Sequence, residues 1–202
     1  MAKSKKQKKS SPASKLRIIG GKWRSRLLPV ANLPGLRPTT SRVRETLFNW
    51  LQNDIAGARC LDCFAGSGAL SFESASRGAA KVVMLETQAQ AAKILADNIQ
   101  VLQAEQIQLL QMDTLSWLKS QLNINEAEKF DVVFIDPPFD SDYLAKTCEL
   151  LESQQLLSEY ACIYLEMNRK QNLPELPANW NLVRDKKAGQ VGYYLVRRNY
   201  VD

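Results

Sequence analysis

The chain contains no histidine. That removes the side chain most used as a general base near neutral pH, and also the commonest nitrogen ligand for metals. Cysteine is scarce, with Cys60, Cys63, Cys148 and Cys162 only. Cys60 and Cys63 have a CxxC spacing, but no second pair follows and both fall in an apolar run. They are expected as small buried hydrophobes, with neither a disulfide nor a bound metal. No apolar run is long enough to cross a bilayer, and the basic first residues lead into no apolar signal segment, so a cytoplasmic protein is expected. Acidic residues are missing from the first 44 positions, where 13 Lys and Arg stand without one Asp or Glu before Glu45. The remainder holds 14 of the 27 basic residues against all 21 acidic ones, a net of −7 in a chain of +6. An acidic body with a basic arm suits a small-molecule enzyme that also grips a polyanion.

What is present begins with Asp136-Pro137-Pro138-Phe139, entered from the apolar run Val132-Val133-Phe134-Ile135. Prolines donate no backbone hydrogen bond, so their carbonyls remain as acceptors. Asp136 adds an ionised acceptor and Phe139 a flat apolar face. The set suits a planar guest carrying N–H donors, such as a nucleobase with an exocyclic amino group. Asp136, the Pro137 carbonyl and Phe139 are therefore the candidate catalytic groups, with Phe139 stacking on the base.

A second motif, Leu61-Asp62-Cys63-Phe64-Ala65-Gly66-Ser67-Gly68, is a short strand running into a glycine turn and a helix. Gly66 and Gly68 permit a tight turn close to a ligand, and the helix start offers free N–H groups. The next strand, Lys81–Leu85, ends in Glu86, about 20 residues on, where an acid can accept both ribose hydroxyls. Ser71 stands where a dinucleotide fingerprint has its third glycine. That departure, and a carboxylate at Asp62 that would repel a pyrophosphate, favour a ribose ligand bearing an ammonium. Asp113, after the third strand, is placed to accept an adenine amino group, or equally to cap the following helix.

In order, LDCFAGSG, MLE, QMD and FIDPPF resemble the amino-methylating class I S-adenosylmethionine-dependent methyltransferases. The stretches LRIIGGKWR (16–24) and LRPTTSRVRETLF (36–48) resemble, more narrowly, the ribosomal small-subunit methyltransferase D family. The resemblance runs from about Leu16 to the end. It implies a Rossmann-like α/β fold with a seven-stranded, mostly parallel sheet and a C-terminal antiparallel hairpin. It implies S-adenosylmethionine as cofactor, S-adenosylhomocysteine as product, and Asp62, Phe64, Gly66, Gly68, Glu86 and Asp113 as cofactor-binding residues. The implied reaction is methylation of the 2-amino group of one guanine in 16S rRNA, within the small subunit or an assembly intermediate. Amino-methylation of another RNA or of DNA, and RNA binding without catalysis, are the alternatives.

The remaining pattern divides the chain in three. Residues 1–15 form a lysine-rich tail, expected to be disordered. Residues 16–55 form a basic extension: a hairpin turning at Gly20-Gly21, then a helix from Pro38 to about Gln52 with Val43, Leu47, Trp50 and Leu51 facing the body. Lys22, Arg24 and Arg26 recur at spacing two, as on one face of a strand, and with Arg37, Arg42 and Arg44 they are the candidate RNA-binding cations. Residues 56–202 alternate strands (59–64, 81–85, 107–111, 130–135, 161–166) with helices (69–78, 88–103, 114–121, 142–153). Two closing strands, 180–185 and 191–197, follow. Such alternation predicts a parallel sheet covered on both faces. No further apolar face is evident, so a monomer is expected.

Overall fold

The computed structural model describes residues 15–33, 39–122, 124–138 and 142–199. Phe139, Arg37 and nearly all of the basic tail lie outside them. Strands β1 (Lys15–Arg17) and β2 (Leu27–Pro29) form a small antiparallel hairpin, with Leu16 opposite Leu28. Helix α1 (Ser41–Trp50) follows, capped by Thr40, whose hydroxyl accepts from the Val43 N–H at 3.4 Å. The body then alternates β3 (Arg59–Asp62), α2 (Ala69–Ser76), β4 (Lys81–Leu85), α3 (Ala89–Leu102), β5 (Ile107–Leu110) and α4 (Thr114–Ser120). A 3₁₀ turn at Glu126–Glu128 leads to β6 (Phe130–Ile135), α5 (Tyr143–Ser153), β7 (Leu157–Asn168), β8 (Trp180–Ala188) and β9 (Val191–Arg198).

One seven-stranded sheet runs in the order β5-β4-β3-β6-β7-β9-β8. β3 to β7 are parallel, and β9 inserts antiparallel between β7 and β8. This is the expected architecture, and its reason is in the side chains. Cys60, Val82, Met84, Val132, Phe134, Cys162 and Tyr164 fill one face, and Leu61, Val83, Leu85, Val133, Ile135, Ile163 and Leu165 the other. Both faces are apolar at alternate positions, so each must be covered. α1, α2 and α3 cover the first face, while α4 and α5 cover the second through Trp117, Leu118, Leu144, Cys148 and Leu151. The four cysteines are free and buried. Burial pushes the Cys60, Cys148 and Cys162 thiols up to about 12, so they remain neutral packing groups.

β7 extends over 12 residues, four earlier and two later than its apolar stretch. Its first part pairs with the start of β6, and its last residues pair with β9 out to Asn168 opposite Val191. Hydrogen bonding, not apolarity, sets those ends.

The N-terminal segment shares the first-face core, to which Leu16, Ile18, Trp23 and Leu28 belong together with α1. A buried hub holds it there. Glu73 of α2, with no exposed surface, accepts from the N–H groups of Ile19 (2.9 Å) and Gly20 (2.8 Å) and from Arg77 Nε (2.8 Å). The Lys22 N–H donates to the Ser76 carbonyl at 2.7 Å and the Trp23 N–H to Ser76 Oγ at 2.9 Å. Only glycine fits at position 21. Its φ is +74°, and a Cβ there would stand 1.8 Å from the Ser76 carbonyl oxygen. This geometry corrects one expectation: Lys22, Arg24 and Arg26 lie in the turn between β1 and β2, not on a strand, so their spacing of two defines no common face.

Candidate active site

Strands β3 and β4 deliver the first half of the site. The chain leaves β3 at Asp62 and turns through Gly66 (φ +52°) and Gly68 (φ +75°) into α2. A Cβ on Gly68 would approach Phe72 Cε2 to 2.5 Å and Leu95 Cδ2 to 2.7 Å, so the turn sits hard against α2 and α3. Glu86, just past β4 and nearly buried, fixes the turn from the side. Its carboxylate accepts from the Gly66 N–H at 2.9 Å and the Gln88 N–H at 2.7 Å. Asp62 is 2% exposed and accepts from Ser71 Oγ at 2.6 Å. Burial pushes its carboxyl up to about 6, against the bonds from Ser71 and the Phe64 N–H, and with a further push from Glu86. Ser71 therefore does more than replace a glycine: it orients Asp62.

Asp113 caps α4, accepting from the N–H and hydroxyl of Ser116, both at 2.9 Å, and from the Tyr143 hydroxyl at 3.1 Å. Burial would raise its carboxyl, but the Ser116 and Tyr143 bonds outweigh that and hold it below the usual range. The Phe64 ring meets Tyr143 edge-on at 5.5 Å, linking the ends of β3 and β5 through the start of α5.

The second half lies at the ends of β6 and β7. Asp136 is half-buried, Pro137 buried and Pro138 exposed. The parallel pair Ile135 and Leu165 closes the ladder, so Asp136 and Glu166 stand side by side one residue beyond it. Glu166 is 5% exposed and accepts from the Tyr164 hydroxyl at 2.7 Å. Burial raises the Asp136 carboxyl well above the ordinary carboxylate range, and the charges of Glu166 and Asp62 push the same way. Burial also raises Glu166, against the Tyr164 bond. A cleft of about 200 Å³ opens here, lined by Pro137, Leu144, Glu166, Met167 and Gln171 among others. A larger one, about 720 Å³, lies at the other end of the strands, where β6 and β7 begin, beside Lys129, Leu157 and the Glu152–Arg198 ion pair. No motif residue lines it.

Five acids, Asp62, Glu86, Asp113, Asp136 and Glu166, thus stand at the carboxyl ends of the five adjacent parallel strands, where ligands bind in open α/β sheets. The chain is similar to known proteins over most of its length. Residues 16–197 match the family described as Conserved hypothetical protein 95. The ribosomal RNA small subunit methyltransferase D of Escherichia coli K12 is 46% identical over 93% of this chain and 92% of its own length. That of Haemophilus influenzae is 44% identical over 89% of this chain and 92% of its own length. The solved structure of YhhF from Escherichia coli superposes with a TM-score of 0.85 at 42% identity, covering 93% of this chain and all of that one. The chain belongs to the ribosomal RNA small subunit methyltransferase D family.

Within this methyltransferase the candidate cations separate. Lys22, Arg24 and Arg26 are exposed, but their turn is fastened to Ser76 at the far end of α2, about 12 Å of helix from the glycine turn. Arg42 is exposed. Arg44, set among the RNA-binding cations by its position in the sequence, is 2% exposed and ion-paired with Glu73 at 3.5 Å. Its fork also reaches the Thr39 carbonyl at 3.2 Å. It is a structural cation, and the reason is α1, which turns residues 42 and 44 to different faces. Conversely, the structure adds cations at the active end of the sheet. Arg169 and Lys170 follow β7 directly, and Lys186 and Lys187 flank the β8–β9 turn, all exposed. Lys186 lies across β9 from Glu166, with Tyr193 between them in register, and its ammonium sits over the Trp50 ring at 5.9 Å. Basic pairs at these two turns were the available signal in the sequence, as the acid closing the Cys162–Leu165 run was for Glu166. Among the described residues no group of three His, Cys, Asp or Glu is placed to hold a metal ion, and no helix is long and apolar enough to cross a membrane.

Proposed function

We propose that this protein transfers a methyl group from S-adenosylmethionine to the 2-amino group of a guanine in the 16S rRNA of the small ribosomal subunit, in the cytoplasm and as a monomer. The observation that carries the reading is the half-buried Asp136, followed by two prolines, beside the buried Glu166 and next to the glycine turn. The names of the relatives support the rRNA substrate.

The donor set fits the cofactor. Glu86 spends two of about four acceptor positions on Gly66 and Gln88 and retains capacity for two ribose hydroxyls. Asp113, only partly buried and already held by Ser116 and Tyr143, would share an oxygen with the adenine amino group. Asp62, buried and poised near pH 6, would receive the methionyl ammonium, and Gly66 and Gly68 keep side chains out of its way. When bound, the cofactor supplies an electrophilic methyl on a sulfonium.

The protein's own groups do the rest. The guanine amino nitrogen is a weak nucleophile because its lone pair is delocalised into the ring. Asp136 would accept one N–H and the Pro137 carbonyl the other, turning the lone pair towards the incoming methyl. Positioning and fixed charge supply most of the rate gain. As the N–C bond forms, the nitrogen must lose a proton. Asp136 takes it, and its raised basicity suits that role. Phe139 would stack on the base. The guanine must be presented unpaired or flipped outward, since a stacked base cannot reach the pocket. Lys22, Arg24, Arg26, Arg37 and Arg42, with Arg169, Lys170, Lys186 and Lys187, would grip phosphates on either side.

The test is single-turnover methyl transfer to small subunits from cells lacking this modification, alongside cofactor affinity. Asp136→Ala is expected to slow transfer by about 100-fold or more, the usual weight of general base catalysis, while cofactor affinity changes by only a few-fold. Unchanged transfer would remove Asp136 from the chemistry.

A further inference from the structure

Glu166 is a buried carboxylate whose side-chain bond among the described residues comes from the Tyr164 hydroxyl. Among the described residues no cation pairs with it, and it stands next to a second carboxylate, Asp136, across adjacent parallel strands. Neighbouring strands are about 4.8 Å apart, so the two groups can converge on the edge of one planar guest. Each follows by two residues a side chain of one sheet face, Phe134 or Tyr164, so strand alternation gives them the same side. Glu166 also lines the 200 Å³ cleft with Pro137. Two like charges in a desolvated place destabilise the empty protein, so a guest that relieves both has an advantage.

Guanine relieves both. Its Watson–Crick edge presents N1–H and the 2-amino group side by side, donors in a row. Adenine and cytosine present one amino group beside a ring nitrogen lone pair, which a second carboxylate repels. We propose that Glu166 accepts the N1–H of the target base while Asp136 accepts an amino N–H, so that Glu166 selects guanine. Tyr164 is the positioning residue, its hydroxyl holding the Glu166 carboxylate in place at 2.7 Å. The assignment rests on the base-methylating reading above and deepens it. A site built to bond a particular N–H rejects an analogue that lacks it, because its own acceptor is then left buried and unpaired.

The test compares small subunits assembled from rRNA carrying either guanine or 2-aminopurine at the methylated position. 2-Aminopurine keeps the 2-amino group but has a bare lone pair at N1. The full-length protein is expected to favour guanine by about 100-fold or more in kcat/KM. Glu166→Gln, which exchanges a charged acceptor for a neutral one, should lower that ratio about tenfold, and Glu166→Ala should bring it within about tenfold of unity. Tyr164→Phe keeps the Glu166 carboxylate but removes the bond that orients it, and should also lower the ratio. A merely structural Glu166 would slow both substrates equally and leave the ratio unchanged, and that result would overturn the assignment. A wild-type protein that methylates neither substrate would overturn the functional reading itself, and this assignment with it.

Discussion

The substitution Asp62→Asn should change how stability depends on pH, by an amount that follows from burial. The Asp62 carboxyl is buried and pushed from 3.8 to about 6 in the folded protein. With the folded value above the unfolded one, stability is greatest below about pH 4, where both states hold the proton. It falls as pH rises to about 6, because the unfolded chain releases the proton while the native protein still holds it. Above that the loss is complete, about 3 kcal/mol at roughly 1.4 kcal/mol per unit. About 1 kcal/mol is already lost at pH 4.5, so the span from pH 4.5 to 8 should contain about 2 kcal/mol. The asparagine amide cannot ionise and can keep the Ser71 bond, so the stability of the variant lacks this term. The assay is reversible urea unfolding of both proteins at the two pH values, followed by tryptophan fluorescence. Between pH 4.5 and 8 the variant should gain about 2 kcal/mol on the wild type, roughly 1 M in urea midpoint for a slope near 2 kcal/mol/M. Any constant cost of the substitution cancels in that comparison. Parallel pH profiles would show that Asp62 is ionised throughout in the folded protein and would refute the argument. The variant should also bind S-adenosylmethionine about 10-fold more weakly or worse, from loss of a charge-assisted bond to the ammonium.

Other consequences concern different parts of the molecule. Glu73→Gln leaves the buried Arg44 without its counter-charge and weakens the anchoring of Ile19 and Gly20, so it should cost about 3–5 kcal/mol in denaturant unfolding and speed hydrogen exchange at those two amides. Methyl transfer should rise with pH as Asp136 ionises, with an apparent midpoint above the ordinary carboxylate range. Because burial is the larger cause and Glu166 the next, Glu166→Gln should move that midpoint down only part of the way, as read from kcat/KM against pH. Subunit binding should weaken linearly on a log–log plot against salt. Arg24→Ala should reduce the slope by about 1 while leaving cofactor affinity unchanged, as expected for a phosphate contact far from the glycine turn.

Much of the sheet is legible in the sequence because its parallel strands are short apolar runs closed by acids. Asp62, Glu86 and Asp136 mark the ends of β3, β4 and β6 and also belong to the candidate site, so one pattern marks both. Legibility stops where a role depends on a neighbour distant in sequence. Arg42 and Arg44 read alike, and only the arrival of Glu73, 29 residues on, makes one structural. Ser71 reads as a departure from a glycine pattern until Asp62 is seen within 2.6 Å of it. Glu166 reads as the end of an apolar run, but β7 continues to Asn168, and its importance comes from lying beside Asp136. The basic turn misleads for a local reason. Left-handed backbone at Gly21 and Ser25 breaks the extended geometry that a spacing of two assumes.

The reaction proposed for this protein is the transfer of a methyl to the guanine 2-amino group in small-subunit RNA. The most direct measurement treats undermethylated small subunits with the purified protein and labelled S-adenosylmethionine, digests the RNA and identifies the labelled nucleoside by mass spectrometry. A single product, N2-methylguanosine, is expected at one site of 16S rRNA, and none with Asp136→Ala. Label on a ring nitrogen, a ribose, another base or no RNA at all would contradict it.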